Sequence, residues 1–255
     1  MNLFIIYYYT FITMKQQTIA SILTLFLCSN LCTMNSRETL PAKIDPKKHI
    51  FLWDIHGVLL DLDIKQVIKN VFTYNGFFNL AYAVLQPSTA YFFIKKGIKN
   101  PVWEGLVLKA VKKFPKLEKH KDYLLDFANC MTVKQDVFNV VKKLHDKGFK
   151  NYILSNCGPI SFETLSSQYP EHFCLFEKVQ LPSGPNYTKK HAIDQNGNPV
   201  VLQNAVKNFG LKPEQITFVD DSKANIENAK KIGMKTIYFS SVSDFLKAIT
   251  ELNII

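Results

Sequence analysis

The feature that most restricts the fold is an alternation of short apolar segments with longer segments of helical periodicity. The apolar segments have the length of buried strands, and the helical segments are long enough to cover a sheet. The predicted strands are residues 49–54, 152–156, 216–220 and 235–239. The predicted helices are residues 133–147, 200–209, 223–232 and 243–252, and a glycine follows each of the first three. This order predicts an α/β fold, a Rossmann-like three-layer arrangement around a parallel sheet.

Polar side chains stand at the carboxyl ends of three predicted strands. These residues are Asp54 on the first strand, Ser155 and Asn156 on the second, and Asp220 and Asp221 on the third. Parallel strands bring their carboxyl ends to one edge of the sheet, and ligands bind in the crevice beyond that edge. Turn residues are polar in general, so one such strand end would carry little information. Three of them together predict one shared site.

Residues 64–132 interrupt the alternation. They have a helical pattern, are rich in aromatic residues and lysine, and are punctuated by glycine and proline. We interpret them as a helical cap inserted into a core that comprises residues 49–63 and 133–255. Residues 35–48 are polar and contain two prolines, which predicts a linker.

Two apolar runs, residues 2–14 and 18–28, precede the linker. A start at Met14 would give the proportions of a secretory signal peptide, whereas the whole stretch from Met1 approaches the length of a membrane span. We therefore expect residues 1–34 to be a signal peptide or a membrane anchor. The protein would then be exported (periplasmic or secreted) or tethered to a membrane through its N-terminus. Export is the favoured interpretation, but no A-x-A-like triplet marks a cleavage site, so an uncleaved leader that tethers the chain is the alternative.

The formal net charge of +10 comes largely from lysine. Nine lysines lie between residues 95 and 121, against only two acidic residues, Glu104 and Glu118. A solvated helix face is one interpretation, and attraction of an anionic substrate or a membrane surface is the other. No nucleic-acid partner is expected, because arginine is nearly absent and no recognisable nucleic-acid module contains these lysines.

Three segments resemble motifs of a known superfamily in their order, spacing and strand context. The segments are FLWDIHGVLLD, YILSNC and ITFVDDSKANIENAKKIGMKTIYF. They are similar to the first, second and fourth motifs of the haloacid dehalogenase (HAD)-like hydrolases, and the resemblance covers residues 49–62 and 133–240. The paired aspartates are most similar to the Asp-Asp subgroup of sugar-phosphate phosphatases and N-terminal phosphatase domains of epoxide hydrolases.

The resemblance implies a Mg²⁺-dependent phosphatase that acts on a small phosphorylated substrate. Asp54 would be the nucleophile and would form an aspartyl-phosphate. The resemblance also implies that magnesium is held by Asp54, Asp221 and the carbonyl oxygen of His56, with Asp220 supporting these ligands. Magnesium prefers oxygen ligands and cancels the repulsion between a carboxylate and a phosphate anion.

The second and third motifs would complete the site. The resemblance implies that Ser155 donates a hydrogen bond to the transferring phosphoryl group, assisted by the backbone near Asn156. The third motif normally supplies a lysine, but position 196, where it would fall, is asparagine. Lys189 and Lys190 lie upstream, and either one could fold back into the site. We favour Lys189 as the catalytic lysine and Lys190 as a substrate contact, while a solvated pair remains the alternative.

The main departure from the superfamily pattern is His56. The phosphatases have an aspartate at this position, which protonates the leaving alcohol and later activates water. An imidazole can do acid–base work near neutral pH, so His56 is a candidate replacement. Branches that cleave carbon–halogen or carbon–phosphorus bonds also lack the aspartate, but typically carry tyrosine or alanine.

Three alternatives stay open: an active phosphatase, a catalytically impaired protein that binds a phosphorylated ligand or partner, and another hydrolase. A membrane-tethered interaction protein that attaches through its lysine-rich cap is a further hypothesis.

Overall fold

The computed structural model describes residues 45–97, 102–126, 130–182, 188–189 and 192–251. The predicted leader (1–34), most of the predicted linker and the candidate residue Lys190 lie outside these ranges. Among the described residues, no helix combines the length and the apolar character needed to cross a membrane.

A five-stranded parallel sheet forms the centre of the fold. In chain order, the strands of the described residues are β1 (Ile50–Trp53), β2 (Leu60–Leu62), β3 (Met131–Val133), β4 (Lys150–Leu154), β5 (Lys178–Gln180), β6 (Ile216–Asp220) and β7 (Lys235–Tyr238). The central sheet has the order β5-β4-β1-β6-β7, and every neighbouring pair is parallel. The chain adds strands first on one side of β1 and then on the other. Such a change of direction opens a crevice at the carboxyl ends of the strands.

Both faces of the central strand are buried. Phe51 and Trp53 belong to one hydrophobic cluster, and Ile50 and Leu52 belong to another. This division follows the two-residue period of a strand. An uninterrupted apolar run is therefore the expected sequence of β1, because a parallel strand at the centre of a three-layer fold has no face for solvent.

Helices cover both faces of the sheet. The described helices are α1 (Ile64–Thr73), α2 (Phe77–Leu85), α3 (Pro87–Gly97), α4 (Trp103–Lys113), α5 (Lys121–Asp126), α6 (Gln135–Asp146), α7 (Pro159–Gln168), α8 (Pro170–Phe173), α9 (Val200–Phe209), α10 (Lys223–Lys231) and α11 (Val242–Glu251). Short 3-10 helices span Pro115–His120 and Pro213–Gln215. Buried residues of α6 and α11 join the cluster of Phe51, whereas those of α9 and α10 join the cluster of Leu52. The predicted three-layer α/β fold is thereby confirmed.

Helices α1 to α5 form an insertion between β2 and β3. These two strands pair antiparallel, with Leu60 opposite Val133, so the chain leaves and re-enters the core at one place. The insertion has a hydrophobic cluster of its own, in which Leu106, Val107 and Leu117 are buried. It lies within residues 64–132, the segment that the sequence predicts to be a cap.

Most predicted elements differ from the observed ones by one or two residues at their ends. The prediction is correct for α9, which stops at Gly210 in the left-handed conformation (φ 69°). The predicted helix 133–147 begins later, at Gln135, because Val133 is paired in the small sheet. No periodicity predicts β5, α7 or α8. β5 has only three residues, and α7 has little contrast between an apolar and a polar face.

Candidate active site

The carboxylates of Asp54, Asp220 and Asp221 meet at the carboxyl edge of the sheet. β1 and β6 pair so that Trp53 lies opposite Val219, and the Asp54 N–H donates to the Val219 carbonyl oxygen at 3.0 Å. This register places Asp54 beside Asp220. Each of the three aspartates offers a carboxylate oxygen, and these oxygens lie within 4.8 Å of one another. Residues that are more than 160 positions apart in the sequence therefore share one small volume.

Lys189 is fully buried between two of these carboxylates. Its Nζ lies 2.6 Å from Asp54 Oδ2 and 2.6 Å from Asp220 Oδ2. It also donates to the Leu154 carbonyl oxygen at 3.2 Å. Burial alone would lower the pKa of the ammonium group, but attraction by Asp220 and Asp54 outweighs burial and raises it above its ordinary value. Of the two lysines that the sequence leaves open, Lys189 enters the site, and Lys190 lies outside the described residues.

The end of β4 holds the segment that carries Lys189. The Asn156 side-chain oxygen accepts a hydrogen bond from the Lys189 backbone N–H at 3.1 Å, and Asn228 donates to the Lys189 carbonyl oxygen at 3.3 Å. Asn156 therefore positions the lysine. The sequence predicts a different role for Asn156, a contact with substrate. Ser155 is buried, and its Oγ accepts from the Cys157 N–H at 3.2 Å. A hydroxyl that accepts in this way retains one hydrogen to donate.

The turn after Asp54 fits closely against Asp221. Gly57 has a φ of 78°, and its N–H donates to the Leu60 carbonyl oxygen at 2.8 Å. A Cβ at position 57 would collide with the Asp221 carboxylate. Glycine is required here both for the left-handed backbone and for the space that the acid occupies.

His56 is partly buried at this turn. Burial, followed by the positive charge of Lys189, lowers the pKa of His56 to about 4. The imidazole is therefore neutral at neutral pH and carries a lone pair that can accept a proton. An aspartate at the same position would be a carboxylate, so the two residues differ in charge as well as in size.

The site carries more negative charge than its own lysine offsets. Three carboxylates lie close together, and one ammonium group pairs with two of them. Burial raises the pKa of Asp220 to about 6 even though Lys189 opposes this shift. Loss of hydration, and then repulsion by Asp220, raises the pKa of Asp221 to about 6 as well. A further cation would stabilise all three ionised groups.

The chemistry of the donor set fits magnesium. The clustered ligand atoms are carboxylate oxygens, which magnesium prefers to nitrogen or sulfur. Asp54 and Asp221 are the residues that would hold the ion. Asp220 would support them, because its oxygens already accept hydrogen bonds from Lys189, the Ser222 N–H and Asn225.

The sequence profile of the haloacid dehalogenase-like hydrolases matches residues 48–233, which is well over half of the chain. The chain belongs to the haloacid dehalogenase-like hydrolase family. The recognition made from three motifs is confirmed at this level, and the narrower resemblance to the Asp-Asp subgroup stays a prediction. No curated protein sequence matches the chain.

Solved structures of HAD-like proteins share the fold. A dehalogenase is 17% identical, with a TM-score of 0.51 over 78% of this chain and 96% of its own. The L-2-haloacid dehalogenase of Xanthobacter autotrophicus is 18% identical, with a TM-score of 0.50 over 74% and 76% of the two chains. A HAD family enzyme of Bacteroides thetaiotaomicron, solved as an aspartate-to-alanine mutant with magnesium and inorganic phosphate, is 19% identical, with a TM-score of 0.51 over 74% and 93%. Such low identities establish the fold alone.

One residue of the insertion that no motif indicates reaches the HAD-like core. Glu104 is buried in the first turn of α4, and its Oε2 accepts from the backbone N–H groups of Ile160 at 2.9 Å and Ser161 at 3.2 Å. After burial, the charges of Glu104 and Asp54 both contribute to raising the pKa of Cys157 to about 12. Glu104 therefore lies near the aspartate cluster. Its place as one of only two acids among nine lysines is the one sequence signal that could have drawn attention to it.

Proposed function

We propose that this HAD-like hydrolase is a magnesium-dependent phosphatase of small phosphate esters, with Asp54 as its nucleophile. The observation that carries the proposal is a cluster of three carboxylates, two of which pair with one buried lysine. A phosphate ester is an anion, so attack by a carboxylate requires that the repulsion between them be cancelled. Bound magnesium would supply much of this neutralisation and would polarise the phosphoryl oxygens.

The residues of the site suit a two-step transfer. In the first step an Asp54 oxygen attacks phosphorus, and the alcohol leaves with a proton. In the second step water attacks the aspartyl-phosphate, which releases inorganic phosphate and restores the Asp54 carboxylate. Lys189 holds Asp54 in place by its ion pair, and Ser155 has a hydrogen to donate to the phosphoryl group. His56 would give this proton to the leaving alcohol from its imidazolium form, which an anionic substrate beside it favours, and would take a proton from the attacking water in the second step.

The substrate class and the cap are part of the same proposal. The paired aspartates Asp220 and Asp221, with Asn225 at the start of α10, resemble the subgroup that contains sugar-phosphate phosphatases. Sugar phosphates are therefore the first substrates to test. Residues 64–132 would act as the cap, since Glu104 connects this insertion to the core beside the site.

A second candidate function rests on His56. An imidazole at this turn is neutral and bulkier than the carboxylate that phosphatases use, and a site with this change can bind phosphate without releasing product. The protein would then bind a phosphorylated ligand or partner. The two candidates share the metal and phosphate contacts and differ only in turnover.

The test is hydrolysis of a panel of sugar phosphates and aryl phosphates by the full chain, with and without magnesium. We expect magnesium-dependent release of inorganic phosphate, and a loss of about 10³-fold or more in Asp54→Asn, because removal of a nucleophile removes the covalent route. Asp146→Asn is the matched control, since Asp146 is exposed and pairs with Lys142 away from the site. His56→Asp should keep or raise the rate.

Each result separates the candidates. Turnover in the parent that Asp54→Asn abolishes supports the phosphatase. A silent parent together with an active His56→Asp variant indicates an intact site that lacks its acid, and favours the binding function. Turnover that is equal in Asp54→Asn and Asp146→Asn would rule out Asp54 as the nucleophile.

A further inference from the structure

The exposed apolar side chains of the described residues are concentrated on the insertion. Six large hydrophobic residues are at least 60% exposed, and all six lie between Phe72 and Ile94. On α2 these include Tyr82 (64%) and Leu85 (66%), which are three residues apart and share one face of the helix. The buried residues of α2, Leu80 and Ala83, point into the cluster of the insertion.

Helix α3, the next element, carries a second exposed apolar pair. Tyr91 (61% exposed) and Ile94 (64% exposed) have the same three-residue spacing, whereas Phe92 is buried. α2 and α3 are consecutive, and only Gln86 separates them. We call the set Tyr82, Leu85, Tyr91 and Ile94 the apolar cap face. A monomeric soluble protein rarely exposes this many large apolar side chains together without a partner for them.

Positive charge predominates around the apolar cap face. From Ile64 to Trp103 the sequence contains five lysines and no acidic residue, and from Asn70 to Ile94 it contains no charge at all. Lys65 and Lys69 are exposed on α1. Lys95 donates to the Tyr91 hydroxyl at 2.9 Å, and its ammonium lies 5.2 Å from the centre of the Tyr91 ring. The ring and the ammonium thus form one amphipathic unit at the edge of the face.

A groove of about 660 Å³ adjoins this face. It lies between α2 and the 3-10 helix Pro115–His120. Its lining residues are Asn79, Tyr82, Ala83, Pro115, Lys116, Glu118 and Lys119. Lys116 and Lys119 are exposed and carry positive charge, and Tyr82 belongs both to the groove and to the apolar cap face. The groove therefore offers an apolar wall, two ammonium groups and the carboxylate of Glu118 to the same ligand.

We propose that the apolar cap face docks into the surface of a membrane rich in anionic phospholipid. Tyr82, Leu85, Tyr91 and Ile94 would enter the boundary between headgroups and acyl chains, and the surrounding lysines would contact lipid phosphates. Aromatic and aliphatic side chains on one face with lysines beside them are typical of interfacial helices. An anionic membrane surface complements the positive charge. The proposal does not depend on the phosphatase activity or on the predicted N-terminal leader.

A second protein is a less favoured partner for the apolar cap face than a membrane. Protein interfaces are enriched in arginine and depleted of lysine, whereas the charged residues from Ile64 to Trp103 are all lysines and those of the groove are two lysines and Glu118. Lysine reaches past an apolar surface and keeps its ammonium in the polar layer, as required at a lipid headgroup.

The experiment is local quenching of an introduced tryptophan by brominated phospholipid. Tyr91→Trp places the reporter on the apolar cap face, and Tyr238→Trp is the matched control on β7, where the tyrosine is 41% exposed. Both variants are made in the full chain and mixed with vesicles of phosphatidylcholine, with and without about one-third phosphatidylserine. We expect anionic vesicles to quench the added emission at position 91 and not at position 238. Lys116→Ala and Lys119→Ala should each raise the lipid concentration for half-maximal quenching about fivefold.

Three outcomes would overturn the proposal. If the protein sediments with the vesicles while position 91 is not quenched, another segment holds it at the membrane. If emission at position 91 shifts with protein concentration in the absence of vesicles, a second copy covers the face. If neutral and anionic vesicles quench equally, charge complementarity plays no part.

Discussion

At the scale of single residues, the site depends on how closely the turn after Asp54 approaches Asp221. Gly57 makes this approach by adopting a backbone conformation that side chains disfavour and by leaving room for a carboxylate. Gly197 has nearly the same φ, 81° against 78°, but has nothing within 4 Å of where a Cβ would be. Alanine at either position would therefore strain the left-handed backbone, but only alanine at position 57 would also collide with Asp221.

Gly57→Ala should weaken magnesium binding, whereas Gly197→Ala should leave it unchanged. Both substitutions cost about 1–2 kcal/mol of stability for the left-handed backbone, but only Gly57→Ala displaces Asp221. Isothermal titration with magnesium should show a loss of affinity of about tenfold or more, which corresponds to about 1.4 kcal/mol. Equal affinities in the two variants would show that Asp221 is not a ligand.

The sequence pattern does not decide whether Lys189 or its neighbour Lys190 enters the site. Two adjacent lysines in a polar segment are equivalent by composition and charge, so the sequence favours one of them only slightly. The choice is made by contacts with distant residues, because Asn156 holds the Lys189 backbone and two carboxylates hold its ammonium group. The side chain is fully buried although nothing in its neighbourhood along the chain is apolar enough to predict burial.

At the scale of elements, α4 of the insertion and α7 of the core are joined through one carboxylate. The first N–H groups of a helix have no partner within the helix, and a negative charge there is favourable. Glu104 supplies such a charge from another element, 56 residues earlier in the chain than Ile160. Gly158 allows the contact, since a Cβ there would collide with Glu104.

Glu104→Ala should loosen the start of α7. It leaves the Ile160 and Ser161 N–H groups without their acceptor and should cost about 1–3 kcal/mol. Hydrogen exchange at these two amides should accelerate by about fivefold or more, and exchange at Leu165 should change less. Glu118→Ala is the control, because Glu118 is the other acid of the lysine-rich segment and is exposed. Equal exchange at Ile160 in both variants would contradict the role of Glu104.

At the scale of the whole molecule, the pH dependence of stability should contain a contribution from His49. His49 is buried beside β1, and its Nε2 lies 2.7 Å from the hydroxyl of Thr217 on β6. Burial, and then the charge of Lys235, lowers the pKa of His49 to about 4. The unfolded chain takes up the proton near pH 6.5 and the folded chain does not, so stability is complete above pH 6.5 and falls as the pH decreases towards 4.

His49→Gln should remove this part of the pH dependence. The free energy of unfolding of the parent should decrease by about 2 kcal/mol more than that of the variant between pH 7.5 and pH 5. Other titrating groups act in both proteins and cancel in the comparison. The measurement is urea denaturation of both proteins at the two pH values in EDTA. Parallel pH profiles would show that His49 is protonated in the folded state.

The sequence by itself determined the layers of this protein and the chemical kind of its site. Apolar periodicity is a local property, so β1, β6, α9 and α10 are readable from neighbouring residues, and acids at strand ends fall on one edge of any parallel sheet. Tertiary structure alone decided the strand order, the burial of Lys189 between two carboxylates and the contact of Glu104 with α7. These depend on groups far apart in the chain, whose attraction and desolvation exist only after folding brings them together.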